Sequence, residues 1–114
     1  MKNIHNALFS YDTIEKDKEG YLKHQNDWNP EIAKEIAKKE NIFLTDDHWV
    51  IIYFVRNFYF KFNITPSMRI LIQNIQKKIK QEHNISIYLF KLFPKGPAKQ
   101  ASKIAGIPKP IKCL

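Results

Sequence analysis

The sequence predicts a mostly α-helical domain of the α+β kind: a small helical bundle with an N-terminal β-hairpin and an extended C-terminal arm. Three observations carry this. Capping signals at Asn29-Pro30, Thr45 and Thr65-Pro66 each precede apolar residues at helical spacing. Two short extended segments flank Gly20 near the start of the chain. The tail holds Pro108 and Pro110, which favour an extended, polyproline-like path. A chain of 114 residues, 44% apolar and 13% aromatic, is sized for one domain with a real core. Residues 1–105 then form the helical domain, with the hairpin over about 11–23, and residues 106–114 form a flexible arm.

Taken in order, residues 1–10 carry no clear pattern. Tyr11-Asp-Thr-Ile14 and Tyr21-Leu22 are the hairpin segments, and a polar stretch with Gly20 is the turn between them. Asn29 caps the first long helix and Pro30 opens it; Ile32, Ala33, Ile36 and Ala37 form its apolar stripe, and it ends near Glu40. Thr45 opens the next helix, with Asp46 and Asp47 in its positive first turn. Residues 49–60 are apolar on all sides, which predicts a central position. Thr65-Pro66 starts a third helix with Met68, Leu71, Ile72, Ile75 and Ile79 inward and Lys77, Lys78 and Lys80 outward. His83-Asn84 breaks it. Residues 86–93 suit a short helix or a strand; Phe93-Pro-Lys-Gly-Pro97 is a rigid turn; residues 98–105 form one more short helix, which Gly106 ends.

No stretch approaches the roughly 18–20 apolar residues that span a bilayer, and the start of the chain lacks a signal-peptide pattern. The expectation is a cytoplasmic protein with no membrane partner. A single cysteine allows no internal disulfide, and the four histidines sit at no metal-ligand spacing. The net charge of +8 is uneven: residues 1–60 carry −2 and residues 61–114 carry +10. Such a field favours polyanions or acidic protein surfaces. Seventeen of the nineteen bases are Lys, in a chain rich in Ile and Asn, a bias that AT-rich codons also produce. Charge alone therefore leaves direct RNA contact open.

The tail is the most informative segment. At about 3.1 Å per residue, residues 107–113 reach roughly 20 Å. This puts Cys113 at the end of a semi-stiff arm, whereas a structural cysteine belongs in a core. Sulfur relay needs such a thiol: accessible, nucleophilic and able to reach two partners in turn, with no metal or organic cofactor. Lys109 and Lys112 favour the thiolate; the terminal carboxylate opposes them.

From about Gly20 onward the chain resembles the TusE/DsrC family of small sulfur-carrier proteins. Gly20-Tyr-Leu22, Asp27-Trp28, Leu44-Thr45, His48-Trp49, Arg56 and Tyr59 carry the resemblance in the first half. Pro66, Arg69, Leu92-Phe-Pro-Lys-Gly-Pro97, Gln100-Ala101 and the stretch Lys103-Ile-Ala-Gly-Ile-Pro-Lys-Pro-Ile-Lys-Cys-Leu114 carry it in the second. The resemblance implies a mostly helical fold with a small hairpin and a protruding arm, and it implies that Cys113 is the persulfide carrier. Family members of dissimilatory sulfur metabolism have a second cysteine eleven residues upstream of the last; here that position is Ser102, so no internal disulfide cycle is open to this chain. That points to the single-cysteine branch. Its members take sulfur from a TusBCD-like donor complex and pass it to a tRNA 2-thiouridylase that modifies the wobble uridine. A basic carrier suits docking near a tRNA-bound enzyme.

Among other marked residues, Arg69 and Lys103 are candidates for guiding the arm or stabilising the persulfide, against an ordinary role as surface charges. His48 reads as a capping or packing residue, and Trp28, Trp49 and Tyr53 as core. The rival function is a winged-helix-like DNA-binding regulator, for which Gln73, Asn74 and Gln76 are the base-reading candidates. A third reading is an interaction scaffold without chemistry. Both leave Cys113 without a role.

Overall fold

In the computed structural model, residues 11–80 and 84–111 are described. Among them are five α-helices: α1 (Pro30–Lys39), α2 (Asp46–Phe62), α3 (Met68–Lys78), α4 (Ile85–Leu92) and α5 (Pro97–Ile104). Two 3-10 turns, Tyr11–Thr13 and Gln25–Asp27, precede α1. The segment at residues 86–93, open between helix and strand, is helical.

The expected hairpin over 11–23 is reduced to a single antiparallel bridge between Lys16 and Leu22. The turn itself is well made. Gly20 sits at φ 93°, and Asp17 Oδ1 accepts the backbone N–H groups of Glu19 and Tyr21. Pairing stops there because both flanks coil away, one into Tyr11–Thr13 and the other into Gln25–Asp27.

Asn29 caps α1 through its side chain, as the sequence predicts, and α1 buries Ile32, Ala33, Ile36 and Ala37. For α3 the expected cap shifts. Ser67, not Thr65, accepts the Ile70 N–H, while the Thr65 hydroxyl donates to Pro108 O at 2.8 Å. Leu71, Ile75 and Ile79 are buried, with Met68 and Ile72 packed against them.

The helix expected at the centre is not the hub. Of α2, only His48, Ile51, Ile52 and Val55 are buried, and Val50, Tyr53, Phe60 and Phe62 are exposed. Tyr53 is thus outside the core, although its ring stacks on Trp49 and meets Trp28 edge-on. The hub is the short α5, which packs against all four other helices. Small residues allow the close approach: Ala98, Ala101 and Ser102 are buried beside Ile104. Phe93 and Ile107, on either side of α5, are fully buried too.

His48 holds the start of α2. Its Nδ1 accepts the Thr45 N–H at 3.0 Å, and the Thr45 hydroxyl accepts in return from the His48 N–H. With Nδ1 as acceptor, Nε2 carries the proton and donates to Leu92 O at 2.8 Å. The imidazole thereby ties α2 to the end of α4. Its neighbour Asp47, whose place in the first turn suits the helix dipole, also accepts the Tyr88 hydroxyl, and that bond pushes the Tyr88 pKa up to about 12.

Two outcomes follow. Ile104→Ala should cost about 2–5 kcal/mol of unfolding free energy in urea, and Ile87→Ala, on the exposed face of α4, less than about 0.5 kcal/mol. Burial holds the His48 pKa below its ordinary value, against the bond to Leu92 O and the Asp47 charge, which oppose the shift. The unfolded chain then takes up the proton first. The stability due to this residue is complete above about pH 6.5 and is lost as pH falls through the lower folded value. Denaturation from pH 7.5 to 5 should show a steeper decline in the parent than in His48→Gln; equal slopes would contradict the neutral-imidazole cap.

Candidate functional site: the root of the C-terminal arm

Cys113 and Lys112 lie outside the described residues, so the geometry concerns the root from which they extend. That root is held by backbone chemistry. A helix leaves its last four carbonyls without helical partners. At the end of α5 each finds one. Gly106 N–H donates to Lys103 O and Ile107 N–H to Ser102 O, a Schellman closure with Gly106 at φ 71°. Trp28 Nε1–H donates to Ile104 O at 2.7 Å. Arg56 donates from one guanidinium nitrogen to Ala105 O at 2.9 Å and from the other to Gln25 O at 3.1 Å. Its guanidinium lies 4.2 Å from the Trp28 ring and 4.9 Å from the Phe60 ring. Burial pulls the Arg56 pKa below its ordinary value, yet a guanidinium stays charged in proteins.

Beyond Gly106 the chain remains on the body for several residues. Ile107 is fully buried, Thr65 holds Pro108 O, Lys109 Nζ reaches Glu19 at 3.0 Å, and Pro110 is buried. Ile111, 94% exposed, is the first residue to stand clear. A flexible arm expected from residue 106 is therefore anchored through residue 110.

The candidate residues divide between two sides of this root. Lys103 and Lys109 converge on the turn around Gly20. Lys103 bonds Glu40 at 2.9 Å, and its Cε lies where a Cβ on Gly20 would be 2.8 Å away. Glu40 also accepts from Gln100 Nε2. Burial would raise the Glu40 carboxyl, but the bonds from Gln100 and Lys103 outweigh it and hold its pKa below the usual value. Lys103 is thus committed to an ion pair that joins α5 to the end of α1. Arg69 lies apart, exposed on the first turn of α3. Ser102 is fully buried and its hydroxyl donates to Ala98 O. Among the described residues no cluster of His, Cys, Asp and Glu is arranged to hold a metal ion.

Sequence reasoning singled out neither Thr65, Glu19 and Glu40 as arm partners nor Arg56 as a clamp. For Arg56 a signal existed: it is the one charged residue between Asp47 and Lys61, in a stretch otherwise apolar enough to shun a lone charge.

The family model of DsrC-like proteins matches residues 9–114. The chain is 67% identical over all 114 residues to sulfurtransferase TusE of Buchnera aphidicola subsp. Acyrthosiphon pisum, covering the whole of both chains. It is 49% identical over 107 residues to sulfurtransferase TusE of Escherichia coli K12, covering 94% of this chain and 98% of that one. The NMR structure of Allochromatium vinosum DsrC superposes with a TM-score of 0.79 at 46% identity, covering 89% of this chain and 90% of that one.

Gly106 is the most sensitive position of the root. A Cβ there would lie 2.5 Å from Trp28 Cδ1, and φ 71° strains any L side chain. Gly106→Ala should lose about 2 kcal/mol or more on denaturation, while Gly96→Ala, with φ 119° but nothing within 4 Å of the new methyl, should lose less. Equal losses would mean that the Trp28 contact does not constrain the root.

Proposed function

The chain belongs to the DsrC-like protein family, and on that premise we propose that it is a sulfurtransferase which carries persulfide sulfur on Cys113. The observation that supports this most is full-length identity of 67% to a sulfurtransferase TusE. The anchored arm is consistent with it: the body holds the chain through Pro110, three positions before Cys113 in the sequence.

The chemistry is an exchange. The Cys113 thiolate attacks the outer sulfur of a donor persulfide, R–S–SH. A new S–S bond forms, the donor's S–S bond breaks, and the donor leaves as thiolate R–S⁻ while Cys113 becomes Cys–S–SH. No net oxidation occurs and no cofactor is consumed. Unloading repeats the exchange with the roles exchanged: an acceptor thiolate attacks the outer sulfur, the S–S bond to Cys113 breaks, and the Cys113 thiolate leaves. The donor in this reading is a TusBCD-like complex and the acceptor a tRNA 2-thiouridylase acting on the wobble uridine, in a reducing cytoplasm. Lys112, next to the thiol in the sequence, is a positive neighbour that favours its ionised form, whereas Lys109 is paired with Glu19. Lys103 has a secondary part, fixing α5 through Glu40.

The DNA-binding alternative needs a wing, and the hairpin that would supply it is a single bridge among the described residues. No helix among the described residues is long and apolar enough to cross a membrane.

Loading with cysteine-derived persulfide sulfur from a cysteine desulfurase and its relay proteins, followed by intact mass, tests the reading. A gain of one sulfur atom, removed by reductant and absent in Cys113→Ser, is the expected result. No gain with authentic donors present would discard Cys113 as carrier.

A further inference from the structure

The anchored root leaves a short tip. From Pro110, the last buried residue among those described, Cys113 is three positions on, a reach of at most about 10–11 Å in an extended chain. A partner must therefore seat its own sulfur beside the root. The transferred atom offers no shape to recognise, so specificity has to come from protein surface around it.

Three exposed apolar side chains surround the root. Phe60 is 54% exposed and covers Arg56, which holds Ala105 O. Ile64 is 51% exposed and directly precedes Thr65, which holds Pro108 O. Ile111 is 94% exposed and follows Pro110. Each is thus tied to the arm by a bond or by the chain itself. Exposed apolar groups grouped at one place are a mark of an interaction surface. The charges nearest Ile64 in the sequence are two exposed cations, Lys61 and Arg69, while the carboxylates at the root, Glu19 and Glu40, are paired with Lys109 and Lys103.

We propose that Phe60, Ile64 and Ile111 form the docking pad for the persulfide donor protein, whose matching surface is apolar at its centre and acidic at its rim. This rests on Cys113 being the carrier. The donor is favoured over the acceptor because, in the reading above, the acceptor works on tRNA, whose phosphates would themselves attract a basic chain, whereas a donor without nucleic acid must be found by surface fit. Apolar anchors set the lifetime of the complex, and the charge sets its rate of formation.

Affinity and loading separate the possibilities. Binding of the purified TusBCD-like donor complex to Cys113→Ser is measured by calorimetry, alone and combined with Phe60→Ser and Ile64→Ser. The combined variant should bind at least about tenfold more weakly, and both should weaken as salt is raised from low to about 0.5 M. In chains that keep Cys113, the same pair of substitutions should raise KM for the donor by a similar factor. It should leave loading by glutathione persulfide unchanged, since that small donor needs no pad. Phe43→Ser, at a still more exposed apolar residue before the opposite end of α2, should change neither. Thermal unfolding of each variant within a few degrees of the parent keeps the comparison fair. Unchanged donor affinity in the double variant overturns the proposal, as does an effect seen only on transfer to the acceptor. Failure of glutathione persulfide to load the parent overturns the carrier reading itself, and the pad with it.

Discussion

The last turn of α5 is where the structure is decided. Its carbonyls point into the protein, where each would cost free energy if left without a donor. Two are closed by the chain itself at Gly106 and Ile107, and two by side chains from distant segments, Trp28 and Arg56. Because Arg56 belongs to α2 and also holds Gln25 O, one guanidinium fixes α2, the segment before α1, and the exit of α5 together. The tight packing of Gly106 on Trp28 then follows from geometry, since the indole must come close for its N–H to reach Ile104 O. The described residues beyond 106 inherit their direction from this grip.

A second tie acts at the other flank of α5. The Lys103–Glu40 pair is mostly shielded, with side chains 20% and 14% exposed, and Gln100 completes the carboxylate's bonding. Lys103, in the last turn of α5, also suits the negative end of that helix; Glu40, at the end of α1, does not suit its own. Partial burial of such a pair offsets much of its attraction through lost hydration. Its value lies in register: it allows α5 one rotational setting against α1, and that setting places Ile104 and Ala105 where Trp28 and Arg56 need them.

Local signals made much of this legible. Asn29 and Thr45 cap the helices they were expected to cap, and the stripes of α1 and α3 face inward, because capping and periodicity are decided within one or two turns. Long-range bonds were not legible. Thr65 looks like a cap until Pro108, distant in sequence, takes its hydroxyl and leaves the cap to Ser67. Periodicity also misjudged α2. A helix apolar on every face reads as central, yet an aromatic face exposed to solvent gives the same pattern, and Phe60 and Phe62 belong to such faces. The hub role of α5 was hidden because small buried residues such as Ala98, Ala101 and Ser102 contribute little to a hydrophobic pattern while permitting the closest packing. Cys113, which the proposed chemistry needs, was singled out from its place in the sequence and lies outside the described residues.

Ser102 bears on what kind of carrier this can be. A persulfide near a second thiol of its own chain is short-lived, because that thiolate can attack the inner sulfur, form a disulfide and expel hydrogen sulfide. With serine at 102 and one cysteine in the chain, no internal attack is available. The site is closed in a second way: the side chain at 102 is fully buried, bonded to Ala98 O, and its own carbonyl is taken by Ile107. In the proposed role, a sulfur loaded on Cys113 meets no second thiol of its own chain and is held until another molecule's nucleophile arrives. Retention and release are then separated by the lack of an internal partner, and the timing of release passes to the protein that receives the sulfur.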